Sequence, residues 1–160
     1  ATPIMPYKTN MLKKEGALPS FNFPPGKGVV LVTDDNMVNR KIIVRMLQFY
    51  NIESVEAVNG REAVDIIRAS QNVTGDSNAP HFGLILMDLQ MPVMDGYEAM
   101  ETLRGDGVNL PIVALTANAL SIEKQRAFTA GANEFQTKPI LREDLHALCN
   151  RFLLSPAESL

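Results

Sequence analysis

Beyond the first 28 residues, short apolar runs alternate with stretches in which apolar residues recur at helical spacing, about five times over. Residues 29–32, 84–87 and 112–115 are continuous apolar runs, which predict parallel strands that are covered on both faces. Residues 53–57 alternate between polar and apolar, and residues 134–137 are mostly polar. We therefore predict that these two segments are the edge strands of the sheet.

The stretches between the predicted strands contain helical patterns of apolar residues. The predicted inward-facing stripes are Val38, Ile42, Met46 and Leu47 in the first helix, Ala63, Ile66 and Ile67 in the second, and Leu141, Leu145, Leu148, Cys149 and Phe152 in the last. Residues 97–103 and 121–130 predict two further helices with weaker stripes.

Five strand-helix repeats with polar second and fifth strands predict an α/β fold with a doubly wound, five-stranded parallel sheet. The strand order 2-1-3-4-5 places the polar strands at the edges and keeps every crossover right-handed. Ligands of such sheets bind where the strand order reverses, which is here between the ends of the first and third strands. Asp34 and Asp35 follow the first strand, and Asp88 ends the third.

The chain has 160 residues, which suits one domain of ordinary size. Residues 1–27 hold five of the ten prolines, so we interpret them as a linker or tail, residues 28–154 as the domain and residues 155–160 as a C-terminal tail. Small and polar residues at 71–81 predict a surface insertion. The glycosylation sequon at 72–74 is expected to stay unmodified because no secretory signal precedes it.

Charge and hydropathy argue against several kinds of partner. The net charge of −3 gives no reason to expect nucleic-acid binding, and no apolar stretch is long enough for a membrane span. The N-terminal lysines are not followed by the apolar region of a secretory signal. Cys149 is the only cysteine, so we expect a core thiol in a reducing compartment, and we expect His81 at the surface or packed in a loop.

Four predicted strand ends bring polar side chains to one rim of the sheet. Asp34 and Asp35 follow the first strand, Asp88 ends the third, Thr116 ends the fourth, and Lys138 follows the fifth. Three converging carboxylates repel one another, so a cation is expected to stabilise them. Oxygen ligands favour a hard ion, and Mg²⁺ fits best.

This combination predicts a phosphoryl-transfer site. A carboxylate can act as nucleophile, while a metal, an ammonium and a hydroxyl offset the charge of the phosphoryl oxygens. The sequence contains no Walker motif and no G-x-G-x-x-G after the first strand, so the phosphoryl donor must provide its own recognition.

From about Lys27 to Leu154 the sequence resembles the receiver domain of two-component response regulators. The motifs that match, in order, are Thr33-Asp34-Asp35-Asn36 with Asn39-Arg40, Leu86-Met87-Asp88-Leu89-Gln90-Met91-Pro92 with Met94-Asp95-Gly96, Ala114-Leu115-Thr116-Ala117-Asn118-Ala119, and Lys138-Pro139. The residues in these motifs are similar to those of receivers attached to hybrid histidine kinases. Thr33 departs from the family, which more often has an apolar residue there, but a β-branched residue suits a strand and we expect little effect.

The resemblance implies the flavodoxin-like receiver fold and a role for each matching residue. Asp88 would be the phosphoacceptor. Asp35 would bind Mg²⁺ directly and Asp34 partly through water, with Asp88 and the backbone carbonyl of Gln90 as further ligands. Lys138 would bind the phosphoryl group.

The resemblance also implies a switch that follows phosphorylation. Thr116 would move toward the phosphate and Phe135 would turn inward, which would change the surface formed by the fourth helix, fifth strand and fifth helix. Without the resemblance, Phe135 is more simply an aromatic that packs an edge strand. Gln90 and Asn118 occupy positions at which family members control water access to the acyl phosphate. The bond between Lys138 and Pro139 is expected to be cis.

The implied function is a phosphorylation switch in a cytoplasmic phosphorelay and not a turnover enzyme. Its partner would be a histidine kinase or a histidine phosphotransfer protein. The domain is either a stand-alone receiver or part of a longer chain such as a hybrid histidine kinase, and the proline-rich residues 1–27 favour the second.

Three alternatives stay open at this point. A phosphatase similar to the haloacid dehalogenase group needs an acid where Gln90 stands. A flavin module needs a hydroxyl-rich or glycine-rich loop where Asp34 and Asp35 stand. A pseudo-receiver that acts only as an interaction module would form no acyl phosphate.

Overall fold

A computed structural model describes residues 28–72 and 80–154 of the chain. In these ranges, strands and helices alternate five times. The strands are β1 (Val29–Thr33), β2 (Ser54–Ala57), β3 (Phe82–Asp88), β4 (Ile112–Thr116) and β5 (Glu134–Thr137), and the helices are α1 (Met37–Phe49), α2 (Gly60–Gln71), α3 (Gly96–Gly105), α4 (Ser121–Ala130) and α5 (Arg142–Leu153).

The five strands form one parallel sheet in the order β2-β1-β3-β4-β5, which confirms the predicted topology. The three strands with continuous apolar runs are central, and the two more polar strands are the edges. β3 begins earlier than predicted, at Phe82, and continues through Asp88, its last residue. The predicted rim is therefore built from strands that are neighbours in space although they are far apart in sequence.

Helices cover both faces of the sheet. α1 and α5 pack on one face, where Val30, Val32, Leu84 and Leu86 project, and α2, α3 and α4 contribute to the core on the other. The alternating side chains of β1 and β3 thus serve two separate apolar clusters, as expected for strands buried on both faces. Cys149 is fully buried, and its burial raises the pKa of the thiol to about 12, which fits the predicted core role.

The buried face of α1 differs from the prediction. Val38 and Ile42 are 64% and 51% exposed, whereas Leu47 is buried and Met46 packs partly buried against the core, as predicted. The rest of the buried face is formed by Arg40, Ile43 and Val44, which the prediction did not include. Both stripes have helical spacing, because α1 carries apolar residues around most of its circumference. The helical spacing of apolar residues therefore did not by itself identify the inner face. The inner stripe also includes Arg40, a charged residue that an apolar pattern does not detect.

The predicted stripe of α5 was wrong at its first residue. Leu141 is 58% exposed because it is the N-cap, which precedes the helical phase of the residues that follow. Leu145, Leu148 and Cys149 are buried and Phe152 packs partly against them, as predicted. In α2, Ala63 and Ile67 are buried, and Ile66 is partly buried against the same cluster.

The predicted insertion lies only partly within the described ranges. His81 is exposed, in agreement with its predicted surface position, and its backbone carbonyl accepts a hydrogen bond from the Val29 N–H. Residues 73–79 and the two predicted tails, 1–27 and 155–160, lie outside the described residues. Within the described residues, no helix combines the length and the apolar character that crossing a bilayer requires.

Thr33, the last residue of β1, is fully buried. No hydrogen-bond partner for its hydroxyl oxygen lies among the described residues. A buried hydroxyl without a partner costs free energy that a methyl group of similar shape does not. We predict that Thr33→Val increases the free energy of unfolding in urea by about 1 kcal/mol.

The matched control is Thr116→Val at the end of β4. That threonine is also buried, but its hydroxyl accepts a hydrogen bond from the Asn118 N–H over 3.1 Å. The same substitution should therefore lower stability there. A Thr33→Val protein that is less stable than the wild type would contradict the prediction.

Candidate functional site

The predicted site residues meet at the carboxyl ends of four adjacent strands. Asp34 follows β1, Asp88 ends β3, Thr116 ends β4, and Lys138 follows β5. The parallel register brings these ends level, since Asp88 lies opposite Leu115 in β4. The sequence-predicted convergence is therefore present in the folded chain.

Three carboxylates form the centre of the site. Asp34, Asp35 and Asp88 each offer one oxygen, and these oxygens lie within 4.8 Å of one another. Asp34 and Asp88 are buried, whereas Asp35 is exposed. The Asn36 N–H donates to Asp34 Oδ1 over 2.9 Å, which fixes one side of that carboxylate. Closely spaced carboxylate oxygens are the donor set that suits Mg²⁺, so these residues fit the expected ion.

Lys138 joins two of the carboxylates. Its Nζ lies 3.0 Å from Asp34 Oδ2 and 3.1 Å from Asp88 Oδ1. Burial lowers the pKa of Lys138, but the hydrogen bond with Asp34 and the charge of Asp88 outweigh this effect and raise the pKa above its ordinary value. The amine is therefore a fixed positive charge at the centre of the rim.

The Asp88 carboxyl has a strongly perturbed pKa. Burial is the main cause; the Lys138 ammonium opposes it and the charge of Asp34 adds to it, so that the pKa of Asp88 rises from 3.8 to about 6. The Gln90 N–H contacts Asp88 Oδ1 at 3.4 Å, a weak stabilisation of the charged form. A poorly solvated carboxylate that is still ionised at neutral pH can act as a nucleophile.

Thr116 contributes a buried hydroxyl at the end of β4, the strand beside β3. Its Oγ1 accepts the Asn118 N–H over 3.1 Å, and a hydroxyl that accepts one hydrogen bond can still donate its own proton. Gln90 and Asn118 are both exposed at the rim. Phe135 lies outside the carboxylate cluster: it is half-buried in β5, opposite Ala114, and packs against the core.

The backbone around Asp88 is tightly packed. The Leu89 N–H donates to the Leu115 carbonyl and the Gly96 N–H donates to the Leu89 carbonyl, each over 3.0 Å. A Cβ at Gly96 would overlap the Asp88 carbonyl oxygen, so this position accepts only glycine without movement. The Lys138–Pro139 peptide bond is cis, as the resemblance implied.

Sequence reasoning gave no role to Arg40 and Glu56, which lie behind the site. Arg40 Nη1 donates to the Asp34 backbone carbonyl over 2.9 Å, and Arg40 Nε donates to Glu56 Oε1 over 2.7 Å. The sequence signal was a single charged residue in step with the apolar stripe Ile43, Val44 and Leu47. Such a residue is expected to be paired when the helix face is buried.

Comparison with known proteins gives a consistent result. Residues 30–150 match the family described as the response regulator receiver domain. The two-component response regulator ORR41 of Oryza sativa subsp. japonica is 39% identical over 128 residues, which cover 79% of this chain and 94% of that protein. The osmosensing histidine protein kinase SLN1 of Saccharomyces cerevisiae is 38% identical over 125 residues, 77% of this chain but only 10% of that protein.

Solved structures agree with these matches. The receiver domain of the sensor histidine kinase PA1611 from Pseudomonas aeruginosa PAO1, solved with a magnesium ion coordinated in its active-site cleft, has a TM-score of 0.67 and 32% identity, covering 80% of this chain and 98% of that one.

A co-crystal structure of the Saccharomyces cerevisiae histidine phosphotransfer protein Ypd1 with the receiver domain of the response regulator Ssk1 gives a TM-score of 0.65 and 31% identity. The match covers 82% of this chain and 94% of that one. The fold is the flavodoxin-like receiver architecture. The chain belongs to the response regulator receiver domains of two-component signalling systems.

Proposed function

We propose that Asp88 is the phosphoacceptor of this receiver domain and takes its phosphoryl group from a phosphohistidine on a partner protein. The observation that carries the proposal is the arrangement of charges around Asp88. Two other carboxylates offer oxygens within 4.8 Å, and the Lys138 ammonium lies 3.1 Å from Asp88 Oδ1. An ionisable nucleophile, a cation site and a fixed ammonium are the parts that phosphoryl transfer requires.

The proposed transfer forms one bond and breaks one. A carboxylate oxygen of Asp88 bonds to phosphorus as the bond between phosphorus and the imidazole nitrogen breaks, and the imidazole leaves with that electron pair. The product is an acyl phosphate on Asp88. The Lys138 ammonium, 3.1 Å from Asp88 Oδ1, can donate to a phosphoryl oxygen, and the Thr116 hydroxyl can do so after it moves toward the phosphate.

Mg²⁺ is the proposed cofactor. Asp35 would bind it directly and Asp34 partly through water, with Asp88 and the Gln90 backbone carbonyl completing the protein ligands. When bound, the ion offsets negative charge on the phosphoryl oxygens. The buried Asp34 and Asp88 and the exposed Asp35 form a cluster open on one side, which leaves ligand positions for water and phosphate.

The proposed partner is a histidine kinase or a histidine phosphotransfer protein. A phosphohistidine arrives on a protein surface, so the rim needs a protein-docking surface beside it. Val38 and Ile42 supply exposed apolar area one turn apart on α1, the helix that begins next to the acidic residues. We propose that this face contacts the donor protein.

The context of the domain is also a proposal. This chain spans nearly all of a response regulator such as ORR41 but about a tenth of a hybrid kinase such as SLN1. We favour a receiver from a hybrid histidine kinase that acts on the cytoplasmic side of a larger sensor. The domain itself is proposed to be a signalling phosphoacceptor and not a turnover enzyme, without contact to nucleic acid or membrane.

The proposed switch uses Thr116 and Phe135. Thr116 moves toward the phosphate and Phe135 turns into the space that it leaves, which changes the surface of α4, β5 and α5. The loose attachment of α4 supports this proposal: only Ala127 and Ala130 are buried, and its N-terminus has no side-chain cap. A weakly packed element is the part of a fold that a local change can reposition.

Asp88→Asn should abolish acyl-phosphate formation. The replacement is nearly isosteric but neutral, so the nucleophile is lost while the fold is kept. The measurement is base-labile labelling by a phosphorylated histidine phosphotransfer protein, with acetyl phosphate as a second donor. Asp106→Asn, the same change at an exposed residue paired with Arg68, is the matched control and should label like the wild type. Base-labile label on Asp88→Asn would contradict the assignment.

Asp35→Ala should weaken Mg²⁺ binding. Loss of an outer-shell partner of a metal typically raises the dissociation constant about 10–100-fold. Loss of the direct ligand Asp35 should raise it at least as much. Because the chain contains no tryptophan, calorimetry is a better measurement than intrinsic fluorescence. Asp65→Ala, which removes an exposed carboxylate from α2, should leave the titration unchanged. An unaltered titration of Asp35→Ala would remove this residue from the proposed site.

The raised pKa of Asp88 predicts a pH dependence of stability in the absence of metal. A carboxyl whose folded pKa lies above its unfolded value contributes stability below the unfolded pKa of 3.8, and this contribution is lost as pH rises through about 6. The shift corresponds to roughly 3 kcal/mol. Asparagine does not ionise, so Asp88→Asn lacks this loss.

In urea unfolding with EDTA, the stability of Asp88→Asn relative to the wild type should therefore improve by about 2–3 kcal/mol between about pH 4 and pH 7.5. Saturating Mg²⁺ should stabilise the wild type more than the variant. A stability difference that does not change with pH would show that burial of Asp88 has no such cost.

A further inference from the structure

Residues 34–36 connect β1 to α1, and we call them the acidic loop. A buried ion pair lies behind this loop, between α1 and β2. The Arg40 side chain is 10% exposed and the Glu56 side chain 15%. Arg40 Nε donates to Glu56 Oε1 over 2.7 Å, and Lys41 Nζ lies 2.8 Å from Glu56 Oε2. Glu56 thus compensates a guanidinium that the apolar inner face of α1 would otherwise strongly disfavour.

Arg40 also binds the loop itself. Its Nη1 donates to the backbone carbonyl of Asp34 over 2.9 Å, in a buried hydrogen bond. On the other side of the same residue, the Asp34 N–H donates to the Ala57 carbonyl of β2 over 3.2 Å. Both peptide groups of Asp34 are therefore held, one by the sheet and one by Arg40.

The Asp34 carbonyl belongs to the peptide group that leads into Asp35. Because a peptide group is planar, fixing its carbonyl oxygen also fixes the direction in which the chain enters Asp35. Asp34 and Asp88 are buried and contact Lys138, whereas Asp35 is exposed. The direction of the Asp35 carboxylate therefore depends most on the backbone.

We propose that Arg40 is a positioning residue for the cation site. Its guanidinium, anchored by Glu56, orients the Asp34–Asp35 peptide so that both carboxylates face the same ion. A planar guanidinium donates in several fixed directions and can donate to a carboxylate and a carbonyl at the same time, whereas a lysine ammonium is a single point charge. The inference rests on the Mg²⁺ site proposed above.

The positive charge of Arg40 and its proposed positioning role predict opposite effects of its removal on Mg²⁺ affinity. Arg40 is a positive charge close to an intended cation, so its removal alone would tighten Mg²⁺ binding. If Arg40 orients the acidic loop, its removal weakens binding despite this electrostatic gain. Arg40→Met removes both the charge and the guanidinium fork, and Arg40→Lys removes the fork but keeps the charge.

The experiment is a calorimetric titration of the full chain with Mg²⁺, together with urea unfolding of each variant. We expect the dissociation constant to rise about 10–100-fold in both Arg40→Met and Arg40→Lys, as for loss of an outer-shell partner. Wild-type or tighter binding by folded Arg40→Met would overturn the inference. If Arg40→Met does not fold, Arg40→Lys decides alone, and wild-type affinity in that variant would overturn it.

Arg104→Met is the matched control. Arg104 is also a partly buried arginine that donates to backbone carbonyls, those of Val108, Leu110 and Gly131. These carbonyls precede β4 and β5, at the end of the sheet opposite the carboxylates. Its loss should lower stability without changing Mg²⁺ affinity. An equal loss of affinity in this control would mean that stability alone explains the effect, and would overturn the inference.

A second measurement does not depend on the metal. The Asn36 N–H donates to Asp34 Oδ1, so its hydrogen exchange in EDTA reports the order of the acidic loop. Arg40→Met should accelerate this exchange relative to core amides, and Arg104→Met should not. Unchanged relative exchange in Arg40→Met would overturn the inference even if Mg²⁺ binds. If exchange is faster in Arg40→Met but the wild type binds no Mg²⁺, the contact between Arg40 and the loop is supported and the proposed metal site is refuted.

Discussion

Repulsion among three carboxylates is the constraint around which the rim is built. Asp34, Asp35 and Asp88 place oxygens within 4.8 Å of one another, and two of these side chains are buried. One ammonium, that of Lys138, contacts both buried carboxylates, yet the pKa of Asp88 still rises to about 6. Lys138 therefore offsets only part of the cost of burying these charges, and a site with remaining negative charge attracts a divalent cation.

The parallel sheet makes this arrangement possible. Asp34 and Lys138 are 104 positions apart in the chain, but each follows a strand that ends at the same rim. The strand order makes β1 and β3 neighbours, so the acidic residues after β1 and Asp88 at the end of β3 face each other. Rigid strands covered on both faces hold the side chains at fixed separations, which a site made of loops alone would not do.

The features predicted correctly from the sequence were those with strong local signals. Continuous apolar runs identified the central strands, and residue types that carry chemistry at their ends identified the rim. The inner face of α1 could not be identified in this way, because Val38 and Ile42 have the same spacing as the residues that are buried. The role of Arg40 depends on contacts with Asp34 and Glu56 that tertiary packing creates. Its spacing in the buried stripe of α1 indicates that it is buried, but not which groups it contacts.

The side chains that flank the rim bear on the fate of the proposed acyl phosphate. Hydrolysis is faster when a nearby base takes a proton from the attacking water. Gln90 and Asn118 are exposed at the rim, and both are neutral amides that cannot accept that proton. The other two carboxylates, Asp34 and Asp35, would already be committed to the metal, and Lys138 carries a positive charge. For the acyl phosphate proposed on Asp88, we therefore expect the neighbouring residues that the structure describes to favour holding the phosphoryl group, or passing it on to another histidine, over releasing it to water.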